Sequence, residues 1–370
     1  MQAMMHYKAH YDGILLFAIL MLVVTGVVMV YSSSSVVALT TYDDTTFFLK
    51  RQIVWAVLGL ACMFVTMRVD HRLLSDRRLV VALLILSLLC LALTLVPGIG
   101  TMINGSRRWL RYGMLSFQPS ELAKFALILY LSYYIAKQGE RLRSFMQGLF
   151  PAYIVSGIFL VMTLVQPDFG ATMTMAGVAG ILLFAGGANV LHLIGTLLLA
   201  SPFVYTAVAH STYRLKRIFA FLDPWSDPQG SGHQIIQSFL AFGSGGLFGR
   251  GLGEGRQKLL FLPERHSDFI YAVIGEELGL IGALVVLTLF LVILWRGVVT
   301  ALGSIEPFSR MLALGITLLI CVQGLINMAV VTGLLPTKGI ALPLVSYGGS
   351  SLVITMAALG VLLNISRETR

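Results

Sequence analysis

Most ionisable residues of this chain sit between long apolar runs, and Asp268 occupies the most telling position among them. It lies in SDFIYAVIGEELG, residues 267–279, where a polar stretch gives way to an apolar one. A carboxylate at such a boundary has two uses. It can cap the first turn of the helix that the apolar run must form, by accepting hydrogen bonds from free backbone N–H groups. It can also act as a general base toward a hydroxyl held at the helix mouth. Glu276 and Glu277 follow inside the apolar run itself, where carboxylates are costly and call for buried cations or a functional role. On an ideal continuous helix Glu276 comes within about 80° of the Asp268 face and about 12 Å deeper, so the two could line one cavity.

Cations gather in the same regions. Arg256, Lys258 and Arg265 precede Asp268, Lys338 lies in the Pro/Gly-rich turn LLPTKGIALP, and Arg108 lies in GSRRWL. Lys338 can be a snorkelling lysine or a cation offered to an anionic ligand. In FQPSELAK, Glu121 and Lys124 are spaced to pair on one helix face behind Pro119, which is ordinary helix-start chemistry. Asp168 in QPDFG is placed to cap a helix.

The elements that position these groups are membrane helices. Hydrophobic residues make up 57% of the chain and charged residues 12%, whereas an ordinary soluble domain has about a quarter charged. Apolar runs long enough to cross a ~30 Å hydrocarbon core predict spans over 12–31, 51–68, 79–97, 118–136, 149–166, 168–186, 190–209, 268–295, 309–331 and 342–365. The expected fold is therefore all-α, a polytopic membrane protein of ten helices forming a single domain over 1–370. The first run is longer than a signal-peptide core and no A-x-A site follows it, so it reads as a retained helix. Cys62, Cys90 and Cys321 lie inside apolar runs with no CxxC spacing, which suits packing better than chemistry.

Short loops carrying Arg68, Arg72, Arg77, Arg78, Lys137, Arg141, Arg143, Arg296 and Arg310 fall on one side, which the positive-inside rule makes cytoplasmic, with both termini. The outward loops are also basic, through Arg107, Arg108, Arg111, Arg214, Lys216, Arg217, Arg250, Arg256, Lys258, Arg265 and Lys338. A cationic surface beside the bilayer suits an anionic partner or lipid headgroups, and charge spread over membrane loops does not suit nucleic acid. The longest connection, about 210–267 between the seventh and eighth spans, is outward and rich in aromatics. Its HQIIQSFLAF, residues 233–242, has helical apolar spacing and could lie in the interface. GSGGLFGRGLGEG, residues 243–255, holds seven glycines but matches neither GxxxxGK[ST] nor GxGxxG, which argues against a nucleotide site.

Taken together, GSRRWL (105–110), FQPSELAK (117–124), QPDFG (166–170), DPWSDPQGSGHQIIQS (223–238), LPERHSDFIYAVIGEELG (262–279) and LPLVSYGGSS (342–351) strongly resemble the SEDS family of shape, elongation, division and sporulation proteins, in order and over nearly the whole chain. Within it, LLPTKGIALP with Lys338 and the DPW at 223–225 resemble the division-type branch and its sporulation relatives more than the elongation type. The resemblance implies a glycosyltransferase that polymerises lipid II at the outer face of the bacterial inner membrane. It also implies work beside a class B penicillin-binding protein and other division proteins. It maps the family's essential loop aspartate onto Asp268. Lys338, Arg108, Arg256, Lys258, Glu264, Arg265 and His266 become candidate substrate contacts, with Glu121, Lys124, Glu276 and Glu277 in support. One departure is Leu260, where many members carry an acidic residue. No His/Asp/Glu spacing marks a metal site, although a divalent cation such as Mg or Mn could share in stabilising a pyrophosphate. Outside enzymes, ten helices with buried charge would also suit a lipid II flippase or a scaffold for the penicillin-binding partner.

The cationic short loops on one side predict the topology, since long loops translocate regardless of charge. A reporter fused after Arg143 should be active only in the cytoplasm and one inserted near Gln229 only outside; reversed signals would overturn the orientation.

Overall fold

The structure, a computed structural model, describes residues 11–103, 106–112, 115–255 and 267–368. Its helices are α1 (Gly13–Tyr42), α2 (Phe47–Arg68) and α3 (Arg77–Leu95), then, after a small sheet of β1 (Gly100–Ile103), β2 (Ser106–Tyr112) and β3 (Leu115–Phe117), α4 (Pro119–Gln138), α5 (Phe150–Val165), α6 (Phe169–Ala185) and α7 (Val190–Ala209). The long connection contains α8 (Thr212–Leu222) and α9 (His233–Gly245), and α10 (Ile270–Glu277), α11 (Gly279–Gly303), α12 (Pro307–Val331) and α13 (Gly349–Ser366) complete the chain.

Among the described residues seven helices are long and apolar enough to cross a membrane: α1, α2, α3, α11, α12, α13 and the 145–165 segment that contains α5. The remaining expected spans also fold as helices. α6 has 17 residues, α7 is apolar over Val190–Phe203, and α4 carries Glu121, Lys124 and Lys137 within its 20 residues.

The starts of α1, α3, α6 and α8 are each capped by a side chain. Asp12 accepts from the backbone N–H of Ile14 and Leu15 at 3.1 Å each, and its other oxygen takes the Arg296 guanidinium across the bundle at 2.7 Å. Asp168 caps α6 through the N–H of Ala171 at 3.1 Å. The α2–α13 seam relies on close backbone approach: a side chain at Gly360 would lie 2.4 Å from the carbonyl of Met63, and Thr66 donates to the carbonyl of Ala357 at 2.9 Å across the same contact. Small residues at such contacts give helices packing that hydrophobicity cannot supply inside a lipid phase.

Two expected spans are corrected, and one element is added to the all-α expectation: the connection before α4 forms an antiparallel meander in which Gly100 pairs with Leu110 and Leu110 with Phe117. The span expected over 268–295 is broken in two, because Gly279 adopts φ +70°, a conformation that costs a side chain-bearing residue far more. The span expected from 342 begins only at Gly349, since 342–348 runs as a non-helical turn before α13.

The break at Gly279 explains the glycine-rich segment. The carbonyl of Glu276 accepts from the N–H of Arg250 and that of Glu277 from the N–H of Gly251, both at 3.0 Å, while the N–H of Leu280 reaches the carbonyl of Gly246 at 2.9 Å. Residues 246–251 thus supply the backbone partners that an interrupted membrane helix loses. α9 buries Ile235, Ile236 and Ala241 against this region and leaves Phe239 and Leu240 exposed.

Candidate functional site

Asp268 lies in the turn that leads into α10, but it does not cap that helix. The cap position belongs to Phe269, whose side chain makes no capping hydrogen bond, so Asp268 stands one residue before the cap. The Asp268 carboxylate instead lies beside Gly339, where an added Cβ would come within 2.9 Å of Oδ2. The glycine of LPTKG therefore makes room for the acid, and it does so one residue from Lys338.

Two side chains fasten these segments together. Asn327, on α12, donates through Nδ2 to the carbonyl of Asp268 at 2.7 Å and to that of Ile340 at 2.6 Å. Ser346 accepts from the N–H of Leu342 at 2.8 Å and donates to the carbonyl of Ser267.

Lys338 does not snorkel away from the protein. Its ammonium sits 4.7 Å from the ring centroid of Phe169 and reaches the Met173 thioether. Burial in this apolar setting pushes its pKa below the ordinary lysine value, because desolvation penalises the charged form. Arg214 of α8 faces the same ring at 5.1 Å, and Arg217 donates to the carbonyl of Thr337 at 3.0 Å. The basic helix of the long connection is therefore docked on the turn that carries Lys338.

A second polar layer lies behind this one. Lys124, 3% exposed, donates to Glu121 at 2.8 Å and to the Gln323 side-chain oxygen at 2.7 Å. Gln323 in turn donates to the carbonyl of Ala341 at 3.1 Å, and Ser351 donates to Glu121 at 3.1 Å. The expected Glu121–Lys124 pair is thus present and joins α4, α12 and α13 to the 338–346 turn. Arg108 is engaged elsewhere: it donates to the carbonyls of Gln166 and Pro167 and lies 3.9 Å from Asp168. Its donors brace the α5–α6 turn, which makes it a weaker candidate for a ligand than Lys338 or Arg214.

Glu276 and Glu277 are buried, and their described contacts run away from Lys338. Ser32 of α1 donates to Glu277 at 2.6 Å and the N–H of Gly253 at 3.1 Å, while Ser244 reaches Glu276 at 3.5 Å. Because α10 starts after Asp268, the shared helical face expected for Asp268 and Glu276 does not exist. Arg256, Lys258, Glu264, Arg265 and His266, with Leu260, lie outside the described residues. Among the described residues no group of three or more His, Cys, Asp or Glu could hold a metal ion. Asn327, Gln323, Ser346, Gly339, Phe169 and Arg214 join the site without having been singled out as site residues in the sequence. For Asn327 and Gln323 the signal was there, as polar residues one turn apart inside an apolar run.

A family model described as cell cycle protein, FTSW_RODA_SPOVE, matches residues 13–370. The chain belongs to the FtsW/RodA/SpoVE family. A relative from Trichlorobacter lovleyi, named probable peptidoglycan glycosyltransferase FtsW, is 51% identical over 97% of this chain and 93% of its own length. Among solved structures, a chain of the structure described as "Structural coordination of polymerization and crosslinking by a peptidoglycan synthase complex" superposes with a TM-score of 0.79 at 32% identity, covering 97% of this chain and 98% of that one. The rod shape determining protein RodA of Thermus thermophilus gives a TM-score of 0.70 at 29% identity, covering 96% and 97%. As a member of the FtsW/RodA/SpoVE family, with apolar helices throughout, the chain is a multi-pass inner-membrane protein.

The Lys338 environment can be tested without any substrate. Burial favours the neutral amine, so the midpoint for competitive acetylation across alkaline pH should fall below the ordinary 10.5. A midpoint at or above that value would contradict the packing of the ammonium against Phe169 and Met173.

Proposed function

We propose that this chain is a peptidoglycan glycosyltransferase that polymerises lipid II at the outer face of the cytoplasmic membrane. The observation that carries the reading is the placement of a carboxylate, Asp268, against Gly339, the residue that follows the half-buried cation Lys338. The name carried by the Trichlorobacter lovleyi relative supports the same activity.

The reaction needs those two functions. The 4-hydroxyl of an acceptor GlcNAc attacks the anomeric carbon of a lipid-linked MurNAc. A glycosidic C–O bond forms, the bond to the undecaprenyl pyrophosphate oxygen breaks, and the hydroxyl proton goes to a base. Asp268 is that base: a carboxylate can accept a proton from a hydroxyl held in contact with it. Lys338, with Arg214 beside it over Phe169, stabilises the charge that grows on the departing pyrophosphate. The donor is already activated, so no nucleotide is required.

A class B penicillin-binding protein is the proposed partner, a reading supported by the likeness to a chain of a peptidoglycan synthase complex. The termini face the cytoplasm and the protein acts at the division septum. The higher identity to an FtsW relative than to RodA supports the septal role.

Purified Asp268→Asn protein, given lipid II with and without the partner, tests the chemistry. It should reach the membrane at normal level and lose roughly 10² to 10⁴ in polymerisation rate. A well-expressed variant working at near wild-type rate would remove Asp268 from the mechanism, and wild-type protein that moves lipid II without polymerising it would make the chain a flippase. Depletion in the native cell should block septation and give filaments; cells that round up while still dividing would indicate an elongation role.

A further inference from the structure

Asn327 ties together the two halves of the proposed site and has no other described polar contact. Its side chain is 2% exposed, and an amide nitrogen has two hydrogens to give. One goes to the carbonyl of Asp268 and the other to the carbonyl of Ile340. The second bond continues toward the cation, because the N–H of Ile340 donates to the carbonyl of Lys338 at 3.0 Å. A continuous path of backbone and amide groups therefore runs from Lys338 through Ile340 and Asn327 to Asp268.

The other end of the amide sharpens the case. Asn327 Oδ1 is buried without a hydrogen-bond partner among the described residues, a condition that buried polar atoms rarely tolerate without a compensating reason. Turning the amide over would set its oxygen against two carbonyl oxygens, so the two acceptors fix its orientation. A residue needed only to fill space on a membrane helix would be apolar and would leave no orphan acceptor. What the Asn contributes here is its nitrogen, which holds both carbonyls.

From this we infer that Asn327 is a positioning residue: it holds the Asp268 carboxylate and the Lys338 ammonium in register, by fixing the peptide that follows Asp268 against the turn that follows Lys338. It touches neither substrate nor reacting atoms. The inference rests on the reading of Asp268 as the base. Its effect belongs to the chemical step rather than to binding, because what it sets is the distance from the base to an acceptor hydroxyl whose pyrophosphate-linked partner is held by the cation.

The experiment is a kinetic comparison of full-length protein with its penicillin-binding partner on lipid II, using Asn327→Leu, Asn327→Asp, Asp268→Asn and the Asp268→Asn/Asn327→Leu double variant. Asn327→Asp keeps the shape and replaces the donor by an oxygen, so it decides the matter if the leucine variant folds poorly. A misplacement of the base by about 1 Å costs up to about 100-fold, so both Asn327 variants should lose about 10- to 100-fold in kcat. KM should stay within about threefold, since a group acting only on the chemical step leaves it unchanged. The double variant should be no more than about twofold slower than Asp268→Asn, because a residue that acts through Asp268 has nothing further to lose once the base is gone. Any of four results would overturn the inference: kcat within about twofold of wild type, a loss carried by KM, losses that multiply in the double variant, or absence of both Asn327 variants from the membrane, which would make Asn327 a folding residue. An Asp268→Asn protein as fast as wild type would be a separate failure, that of the base assignment itself.

Discussion

Backbone N–H and C=O groups cannot be left unpaired in hydrocarbon, and among the described residues two places where the chain stops being helical shape the site and its supports. At Leu278–Gly279 the α10–α11 break frees carbonyls and N–H groups, and the glycine-rich segment answers them residue by residue. Between α12 and α13 the 338–346 turn has the same need, and it is met by side chains: Gln323 takes the carbonyl of Ala341, Asn327 that of Ile340, and Ser346 the N–H of Leu342. Polar side chains are tolerated at that depth because the irregular backbone requires them. Once present, they also tie together the segments that carry the Asp268 carboxylate and the Lys338 ammonium.

That requirement decides which parts were legible in the sequence. Spans of about 20 apolar residues were legible because length and hydropathy alone define them, and α3, α4, α7 and α12 lie within two residues of their expected limits. α1 was misjudged by more, since Ser32 to Ser35 look like a polar terminus. In the structure Ser34 donates to the carbonyl of Val30 at 2.6 Å and Ser32 to Glu277 at 2.6 Å, so the hydroxyls are satisfied and the helix continues to Tyr42. The three-stranded meander was missed because its strands are short and basic, with Arg107, Arg108 and Arg111 on β2, and carry no apolar signal strong enough to mark them.

The site divides in the same way. Asp268, Lys338, Glu121 and Lys124 stood out as ionisable groups at the edges of apolar runs, where charge has a cost. Asn327 and Gln323 carry no charge, and a neutral amide in a membrane helix reads as packing until its partners are known. Gly339 was equally silent: its value lies in what its missing side chain admits, the Asp268 carboxylate, and only the fold brings the two together.

The electrostatics of the outer layer then argue for an anionic ligand over a lipid-facing patch. Lys338 and Arg214 stand over one aromatic ring, at 4.7 and 5.1 Å. The ring's quadrupole attracts each cation, but it does nothing to relieve the repulsion between them, which grows as water is excluded. The lowered pKa of Lys338 reflects burial that disfavours its charge. An anionic ligand close to the Lys338 ammonium would reverse that balance, since an opposite charge at close range favours the protonated form. In the proposed transfer that interaction would grow stronger as negative charge accumulates on the leaving oxygen.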